Sequence, residues 1–293
     1  MAPFDALVLI RGAGALGSGV AYRLVKAGFP VVMTELANPL VLRSTVSYGP
    51  CIYYHSVIVE GIVARHAEID QVQDLQGQDS IPVLIDPRHA AIAALRPAVV
   101  IDARGRYVNG DTTINDAPLV IGLGQGFSAG TNCHAVIETQ RGHNLGRVLW
   151  RGSAATLTID FDNSVYSPAD GLTLQFTMIG EQVSAGGLIA RVGNVAVHAP
   201  VDGILSGLID NDIQVTAGTR IGIVKQDIRR EDCFTISSRA LAVGGGVLES
   251  ILSAPQIANY LGAHPDVASN ESMYVNSPSL VPRKGSVDEI LSS

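Results

Sequence analysis

Three glycines and one acid within the first 35 residues have the types and spacing of a nucleotide-binding turn. Gly12, Gly14 and Gly17 fill a G-x-G-x-x-G frame after an apolar run, and Glu35 follows about 20 residues on. The first glycine allows a tight bend, the second lets a diphosphate approach the backbone, and the third lets a helix pack on the strand. An acid at the end of the second strand can hold a ribose hydroxyl. These residues predict phosphate and ribose binding.

Arg11 stands directly before this turn, where a small or apolar residue is common. Its guanidinium group can make a bidentate contact with a phosphate or a carboxylate. The competing interpretation of the whole stretch is a βαβ unit that packs without binding a ligand. The complete series of strand, turn, helix, second strand and acid favours the binding interpretation.

A second glycine-rich run can offer backbone N–H groups to an anion without using side chains. Its candidate phosphate-binding residues are Gly122, Gly124 and Gly126. The run leads to Cys133 and His134. A cysteine whose pKa is lowered by a neighbouring cation can act as a nucleophile or as a chalcogen carrier. The competing interpretation of Cys133 is a buried thiol that packs as a small hydrophobe.

Three further apolar runs are typical of parallel strands that are covered on both faces. They comprise residues 81–85, 98–101 and 118–121. Polar residues follow each run, and they include Arg88 and Arg104. Because ligands bind beside the carboxyl ends of parallel strands, we expect these side chains to meet near the first glycine turn. Each Asp–Arg pair among them is equally explained by a salt bridge that holds a loop.

Between the two groups of strands, Asn38 is a candidate cap for a short helix that ends near Tyr48. Tyr53, Tyr54 and His55 follow it. An aromatic and histidine segment of this kind either lines a ligand or forms a half-buried loop.

The composition is that of a globular protein with substantial cores. The chain has 293 residues, 47% hydrophobic and 16% charged, with a net charge of −7. It contains no run of lysine and arginine, so it lacks the concentrated basic surface that nucleic acid requires. Three separated cysteines without a C-x-x-C pair indicate free thiols in a reducing compartment, and neither a disulfide nor a zinc framework.

The beginning of the chain lacks a basic region, and no apolar run approaches the ~20 residues of a membrane span. We therefore expect a cytoplasmic protein with no nucleic-acid partner, no membrane association and no metal site.

The predicted fold class is α/β, with a Rossmann-like parallel sheet, a small all-β domain of barrel-sandwich-hybrid type and a C-terminal helix. Apolar runs separated by helices end near residue 150, and short alternating segments with frequent turn residues follow. Three glycines inside the helix, 244–246, are expected to mark close packing against another element. The predicted domains are 1–150 (Rossmann-like, nucleotide-binding), 151–230 (all-β), 231–262 (C-terminal helical segment) and 263–293 (loose tail).

The all-β region resembles the carrier domains of biotinyl and lipoyl proteins. The resemblance rests on the turn at 199–203, on Asn211-Asp212 and on Gly218 before an apolar strand. A carrier presents a lysine on the hairpin before the Ala-Pro turn, whereas residues 191–198 contain no lysine. We therefore expect no biotin or lipoyl attachment.

Four long segments of the chain together resemble the YqeB-type accessory proteins of selenium-dependent molybdenum hydroxylase systems, which are distantly akin to XdhC-type factors. The segments are residues 7–35, residues 116–148 (DAPLVIGLGQGFSAGTNCHAVIETQRGHNLGRV), VHAPVDG and SRALAVGGGVLESI. The resemblance implies a role in maturation of a molybdenum hydroxylase, with the hydroxylase apoprotein as partner. It does not define a reaction, so whether the protein is an enzyme stays open.

On that resemblance, the ligand is a molybdopterin dinucleotide or a related nucleotide held on the two glycine turns. Arg11, Arg88 and Arg104 would neutralise its phosphates, Glu35 would hold a ribose, and Cys133 would carry the chalcogen. The alternative is an NAD-dependent oxidoreductase, although the histidines are scattered and offer no evident proton-transfer partner. A third hypothesis is a non-catalytic adaptor that docks a partner through the β domain. Homo-oligomerisation through the β domain is an equal alternative to docking.

Overall fold

The computed structural model describes residues 4–76, 80–105, 111–156 and 163–261, which belong to one compact unit. The predicted loose tail, 263–293, lies outside the described residues. The predicted domain boundaries stay predictions.

A nine-stranded sheet forms the centre of the α/β region. The first eleven strands of the chain are β1 Val8–Arg11, β2 Val31–Glu35, β3 Ser56–Val59, β4 Ile62–Ala67, β5 Ser80–Ile85, β6 Val99–Asp102, β7 Leu119–Leu123, β8 Ser128–Ala129, β9 Ala135–Ile137, β10 Val148–Leu149 and β11 Gly152–Ser153. The sheet has the order β10-β9-β7-β6-β1-β2-β5-β4-β3, and β8 pairs with β11 in a small separate sheet. Seven strands run parallel, and only the edge pairs β3–β4 and β9–β10 are antiparallel.

The central strands are covered on both faces, which explains why their sequences are continuously apolar. Every residue of β1, β6 and β7 is buried. The three apolar runs predicted as parallel strands correspond to β5, β6 and β7, so that prediction is confirmed.

Five α-helices accompany the strands in the described residues. They are α1 Ala15–Lys26, α2 Cys51–Tyr54, α3 Val72–Gln76, α4 Ala90–Leu95 and α5 Ser238–Ser253. Short 3₁₀ helices occur at Ser44–Val46, Ile69–Gln71, Arg230–Cys233 and Pro255–Tyr260.

The predicted helix from Asn38 to Tyr48 is wrong. The structure has only the 3₁₀ turn Ser44–Val46 in this part of the chain. The backbone N–H of Tyr48 donates to Ser18 Oγ, and that of Gly49 donates to the carbonyl oxygen of Ala13. Tertiary hydrogen bonds to the first glycine turn and α1 therefore replace the bonds of a local helix.

Helix α5 packs side by side with α1 through glycines on both helices. A Cβ on Gly19 would lie 2.5 Å from Ala240 Cβ, and a Cβ on Gly244 would lie 2.9 Å from Arg23 Cγ. Because residue 19 meets 240 and residue 23 meets 244, the two helices run parallel. The predicted C-terminal helix is confirmed, and close packing explains two of its three consecutive glycines, Gly244 and Gly246.

Eight short strands follow and form two antiparallel sheets, which we call the β module. They are β12 Ser164–Tyr166, β13 Gly171–Gln175, β14 Gln182–Val183, β15 Leu188–Val192, β16 Val195–His198, β17 Gly203–Leu208, β18 Gln214–Val215 and β19 Arg220–Lys225. The sheet orders are β12-β19-β17-β14 and β16-β15-β13-β18. Both sheets contribute to one hydrophobic cluster, to which Ile189, Leu205 and Ile221 belong.

No helix in the described part of the chain combines the length and apolar character needed to cross a bilayer.

Candidate functional site

The carboxyl ends of β1, β2 and β6 form the edge of the sheet that carries the predicted ligand residues. Arg11, the last residue of β1, pairs in register with Thr34 of β2 on one side and with Asp102 of β6 on the other. The chain leaves β1 toward β2 and later returns on the opposite side of β1 at β6, so the strand order reverses there. In an open parallel sheet, ligands bind outside the carboxyl ends at such a switch point.

Two of the three glycines of the first turn have a steric reason. Gly12 has a φ of +99°, a conformation that side chains rarely adopt. A Cβ on Gly17 would lie 2.1 Å from the Gly12 carbonyl oxygen, so α1 packs directly on the turn. A Cβ on Gly14 would meet no atom within 4 Å. The turn therefore needs two of its glycines for its own geometry and leaves open space beside the third.

Gly14 is also the N-cap of α1, and no side chain in the described residues caps this helix. The first turn of α1 contains no acidic residue. The N–H groups at the start of a helix have no partner within the helix and carry partial positive charge. An anion placed beside Gly14 would meet these N–H groups.

Glu35 holds the turn in place from the end of β2. Its Oε2 accepts a hydrogen bond from the backbone N–H of Ala13 at 2.8 Å, and its Oε1 accepts one from Leu36 at 2.9 Å. Burial raises the pKa of Glu35, while these two N–H groups act in the opposite direction. Sequence reasoning missed this positioning role, and the predicted contact with a ribose stays a prediction.

Arg11 and Arg104 are engaged with protein carboxylates at the switch point. Arg104 Nη2 lies 2.6 Å from Asp102 Oδ2 and 2.5 Å from Asp111 Oδ1. Arg11 donates to Asp111 Oδ2 at 3.2 Å and lies 3.9 Å from Asp102 Oδ2. Both Arg11 and Asp102 are almost completely buried. Arg11 also contacts the side chains of His89 and Thr112. We call these six residues the switch-point network: Arg11, His89, Asp102, Arg104, Asp111 and Thr112.

The pairs in this network offset each other's charge. Burial lowers the pKa of Arg11, and the neighbouring positive charge of Arg104 lowers it further. The hydrogen bond from Arg104 lowers the pKa of Asp111. Neither guanidinium group is free to meet a phosphate unless these pairs open. The structure therefore supports the salt-bridge interpretation of Asp102 and Arg104.

Arg88 does not join the network. Its side chain is exposed, and it makes no hydrogen bond or ion pair with another described residue. The neighbouring His89 reaches the network instead, with Nε2 2.6 Å from Asp111 Oδ2. His89 has a φ of +62°, and this left-handed backbone redirects the chain before α4. The structure thus shows no contact between Arg88 and the other two arginines, and the predicted phosphate contact of Arg88 stays a prediction.

The second glycine run has packing reasons at two of its three predicted positions. A Cβ on Gly122 would lie 2.1 Å from Phe127 Cγ, and one on Gly124 would lie 2.3 Å from Thr139 Oγ1. Gly126 is exposed and has a φ of +99°. Close packing, and not access for an anion, thus explains Gly122 and Gly124, while phosphate binding by this run stays a prediction.

Cys133 lies in the core below the second glycine run. Its side chain is fully buried, in a cluster with Phe127 and Val136. Burial raises the pKa of Cys133 to about 11, although backbone N–H groups oppose this shift. A carrier thiol needs an accessible sulfur and a lowered pKa. Burial and the raised pKa therefore favour the interpretation of Cys133 as core packing, and its role as a chalcogen carrier stays a prediction.

We expect all three cysteines of the folded protein to react slowly with iodoacetamide at pH 7. Cys51, Cys133 and Cys233 are buried, and burial raises the pKa of each thiol. Because only the thiolate reacts, labelling in native buffer should be at least about 100-fold slower than in denaturant. Mass spectrometry of timed digests measures each site. If Cys133 were labelled as fast in the native protein as in denaturant, its thiol would be accessible and the result would support the interpretation of Cys133 as a chalcogen carrier.

Two residues of the network, Asp111 and Thr112, were not predicted from the sequence. Thr112 Oγ1 donates to Asp102 Oδ2 at 2.6 Å, and Asp111 bridges Arg104, Arg11 and His89. They follow β6 by several residues, in a segment without regular structure. No motif spacing relates them to the strand ends.

A cavity of about 680 Å³ lies between the segment after β2 and the β module. Tyr53, Tyr54 and Asp210 line it together with amide side chains. Burial raises the pKa of Tyr53 to about 12, and the negative charges of Asp210 and Glu35 add to this shift. Glu35 is thus within electrostatic reach of the cavity wall. The sequence left two interpretations of this segment, ligand contact and a half-buried loop. The position of Tyr53 and Tyr54 in the cavity wall is compatible with ligand contact.

Comparison with known proteins finds one extensive sequence similarity. The chain is 38% identical over 255 residues to "Uncharacterized protein YqeB" of Escherichia coli (strain K12), which covers 84% of this chain and 47% of YqeB. The chain thus spans about half the length of that relative. No family model matches the sequence.

Solved structures show weak likeness. The ectoine utilization protein EutE (DoeB) from Ruegeria pomeroyi, in a product-bound structure, has a TM-score of 0.26 and 14% identity, over 75% of this chain and 85% of that one. An aspartoacylase family protein from Mesorhizobium loti has a TM-score of 0.27 and 10% identity, over 76% of this chain and 86% of that one. Scores this low support no conclusion about fold or activity. The comparisons thus describe a chain that is YqeB-like over 84% of its own length.

Proposed function

We propose that this protein binds a dinucleotide at the switch point and acts as an accessory factor in maturation of a selenium-dependent molybdenum hydroxylase. One observation carries the binding proposal: α1 begins at Gly14 without a side-chain cap, beside open space, where the strand order reverses. Backbone N–H groups at such a helix start bind phosphate. The sequence resemblance alone supports the maturation pathway and the hydroxylase apoprotein as partner.

The surrounding groups suggest how a dinucleotide would lie. Its diphosphate would meet the start of α1 beside Gly14, and a ribose would reach the remaining acceptor capacity of Glu35. The cavity beside Tyr53 and Tyr54 has space for a base, and aromatic rings offer stacking surfaces. Molybdopterin dinucleotide and NAD share this diphosphate chemistry, so both are ligands to be tested.

We also infer that the β module is a barrel-sandwich hybrid without carrier chemistry. Two packed antiparallel sheets and the β15–β16 hairpin support this inference. The tip of that hairpin carries Gly193 and Asn194, so it offers no amine for a biotinyl or lipoyl group.

Replacing Gly14 with aspartate is expected to weaken dinucleotide binding by at least about tenfold while folding is preserved. A new side chain would point into open space, and its carboxylate would cap α1 and repel the diphosphate. Because aspartate is a good N-cap, the stability of the protein should stay within a few tenths of a kcal/mol or rise. Anaerobic calorimetry at low salt measures binding of molybdopterin dinucleotide and of NAD.

The matched control is Gly245→Asp, since a Cβ at Gly245 also meets open space but lies in the middle of α5. This control should bind like the unmodified protein. Absence of dinucleotide binding by the unmodified protein would overturn the proposal, as would unchanged binding by Gly14→Asp. Turnover with NAD and a substrate would instead establish the oxidoreductase. Failure of Gly14→Asp to support hydroxylase activation in cells that lack this protein would link binding to maturation.

A further inference from the structure

The cavity beside the β module is lined by carboxylate, amide and aromatic side chains, and the described residues that line it include no cation. Asp210 and Asn211 line it from the turn between β17 and β18, and Tyr53 and Tyr54 line it from α2. Its volume of about 680 Å³ is within the range of small-molecule sites. Because carboxylates repel a phosphate, the cavity suits an uncharged part of a ligand.

The turn that carries Asp210 and Asn211 is held by β13. The hydroxyl group of Thr173 donates to the backbone carbonyl oxygen of Asp210, and the N–H of Asp212 donates to the carbonyl oxygen of Thr173 at 2.9 Å. The N–H of Gln175 donates to Asn211 Oδ1 at 2.6 Å. These contacts fix the backbone that presents both side chains to the cavity.

The two neighbouring side chains offer opposite hydrogen-bonding groups. Because Asn211 Oδ1 accepts from Gln175, its Nδ2 is the free end of the amide and offers donors. Burial raises the pKa of Asp210, and hydrogen bonds from the hydroxyl groups of Tyr54 and Ser44 oppose this shift. An ionised carboxylate has about four lone-pair sites, so Asp210 keeps acceptor capacity after these two bonds.

Tyr53 contributes a ring face to the cavity and not a hydroxyl group. Its hydroxyl group donates to the carbonyl oxygen of Pro39 at 3.1 Å, so that group already has a partner. Planar heteroaromatic rings stack on tyrosine whatever their hydrogen-bonding groups. The cavity therefore combines a stacking surface with acceptors from Asp210 and a donor from Asn211.

The cavity lies close to the first glycine turn. Gly49 donates its N–H to the carbonyl oxygen of Ala13 at 2.8 Å, and Tyr53 follows Gly49 by four residues. Glu35 accepts from the N–H of Ala13, and Asn38 follows Glu35 by three residues. Each of these lining residues thus lies within about 15 Å of a residue that contacts the turn. One ligand can reach both places.

We propose that the cavity binds a 2-amino-4-oxopyrimidine edge, which guanine and the pterin ring share. This edge presents an amino group and a ring N–H side by side, followed by a carbonyl oxygen. The Asp210 carboxylate accepts from the two donors, and Asn211 Nδ2 donates to the carbonyl oxygen. The inference rests on the proposed dinucleotide site and names the part of the ligand that enters the cavity.

This edge separates the two candidate dinucleotides. Adenine places a ring acceptor beside its amino group, and nicotinamide has no ring N–H, so neither base of NAD offers Asp210 a pair of donors. The pterin ring of molybdopterin dinucleotide offers that pair. The inference therefore favours a pterin or guanine ligand over NAD.

Asp210→Asn is the sharpest test, because it keeps the shape of the side chain and replaces one acceptor oxygen with a donor. Calorimetry should show that this variant binds GDP and 6-hydroxymethylpterin at least about tenfold more weakly than the unmodified protein does. Asn211→Asp keeps the acceptor for Gln175 and loses the donor, so it should also weaken binding. The matched control is Asp227→Asn, since Asp227 is exposed and lies outside the cavity lining. It should bind like the unmodified protein.

A ligand series tests the edge itself. Inosine diphosphate lacks the 2-amino group and ADP lacks the donor pair, so the unmodified protein should bind each at least about tenfold more weakly than GDP. Binding of GDP alone identifies guanine as the source of the edge, and binding of 6-hydroxymethylpterin alone identifies the pterin ring. The proposal is overturned if neither binds at millimolar concentration, if inosine diphosphate and ADP bind as tightly as GDP, or if Asp210→Asn binds like the unmodified protein.

Gly14→Asp distinguishes this inference from the proposed dinucleotide site. It should weaken binding of GDP, which carries a diphosphate, and leave binding of 6-hydroxymethylpterin, which carries none, unchanged. If GDP binding depends on Asp210 but not on Gly14, the base site stands and the phosphate site at the turn is wrong. If NAD binding depends on Gly14 while GDP and 6-hydroxymethylpterin do not bind, the phosphate site stands and this inference is wrong.

Discussion

Asp102→Asn is expected to destabilise the protein by about 3–5 kcal/mol, because it leaves two arginines in a buried site with one carboxylate fewer. Asp102 is fully buried and receives hydrogen bonds from Arg104 and Thr112, while Arg11 lies 3.9 Å away. Asparagine keeps the shape of the side chain, so the loss reports the charge and its hydrogen bonds. Urea denaturation followed by circular dichroism measures the free energy of unfolding.

Asp170→Asn is the control for this change. Asp170 accepts one hydrogen bond, from the backbone N–H of Ala217, and is exposed, so asparagine can keep that contact. Asp170→Asn should therefore change the free energy of unfolding only slightly. The double variant Arg11→Met with Asp102→Asn should recover part of the loss, since it also removes one uncompensated cation. A loss below about 1 kcal/mol for Asp102→Asn would mean that the network contributes no more than surface pairs do.

Gly246→Ala is expected to destabilise the protein by about 3 kcal/mol, because helix α5 touches the backbone of another loop at this residue. A Cβ on Gly246 would lie 2.0 Å from the Gly146 carbonyl oxygen. Neither atom belongs to a flexible side chain, so α5 and the loop must separate and expose core surface. Thermal and urea denaturation measure the loss.

The neighbouring Gly245→Ala should do the opposite and stabilise the protein by up to about 1 kcal/mol. A Cβ at Gly245 meets no atom within 4 Å, and alanine has a higher helix propensity than glycine. The two variants differ by one position in the same helix, so their opposite signs separate packing from propensity. Equal effects of the two variants would show that α5 does not approach the loop as closely as described.

The sequence predicted the glycine turn of the site, because residues that are close together in the chain form it. The spacing of Gly12, Gly14 and Gly17 is that of one strand-helix turn, and the structure gives Gly12 and Gly17 a local steric reason. The charges could not be assigned in the same way. Arg11 meets Asp111 across 100 positions of sequence, and its pairing depends on β1 and β6 being neighbours. The burial of Cys133 likewise depends on the tertiary structure, which packs it in a cluster with Phe127 and Val136.

The sequence by itself determined the parallel strands and the C-terminal helix, because continuous apolar runs and helix-start residues act through near neighbours in the chain. Only the tertiary structure decided which cations are neutralised. Arg11 and Arg104 lie beside carboxylates at the switch point, whereas Arg43 donates to the backbone carbonyl oxygen of Asp232. Charge pairing depends on distance and burial in three dimensions, and strand order and domain packing set both.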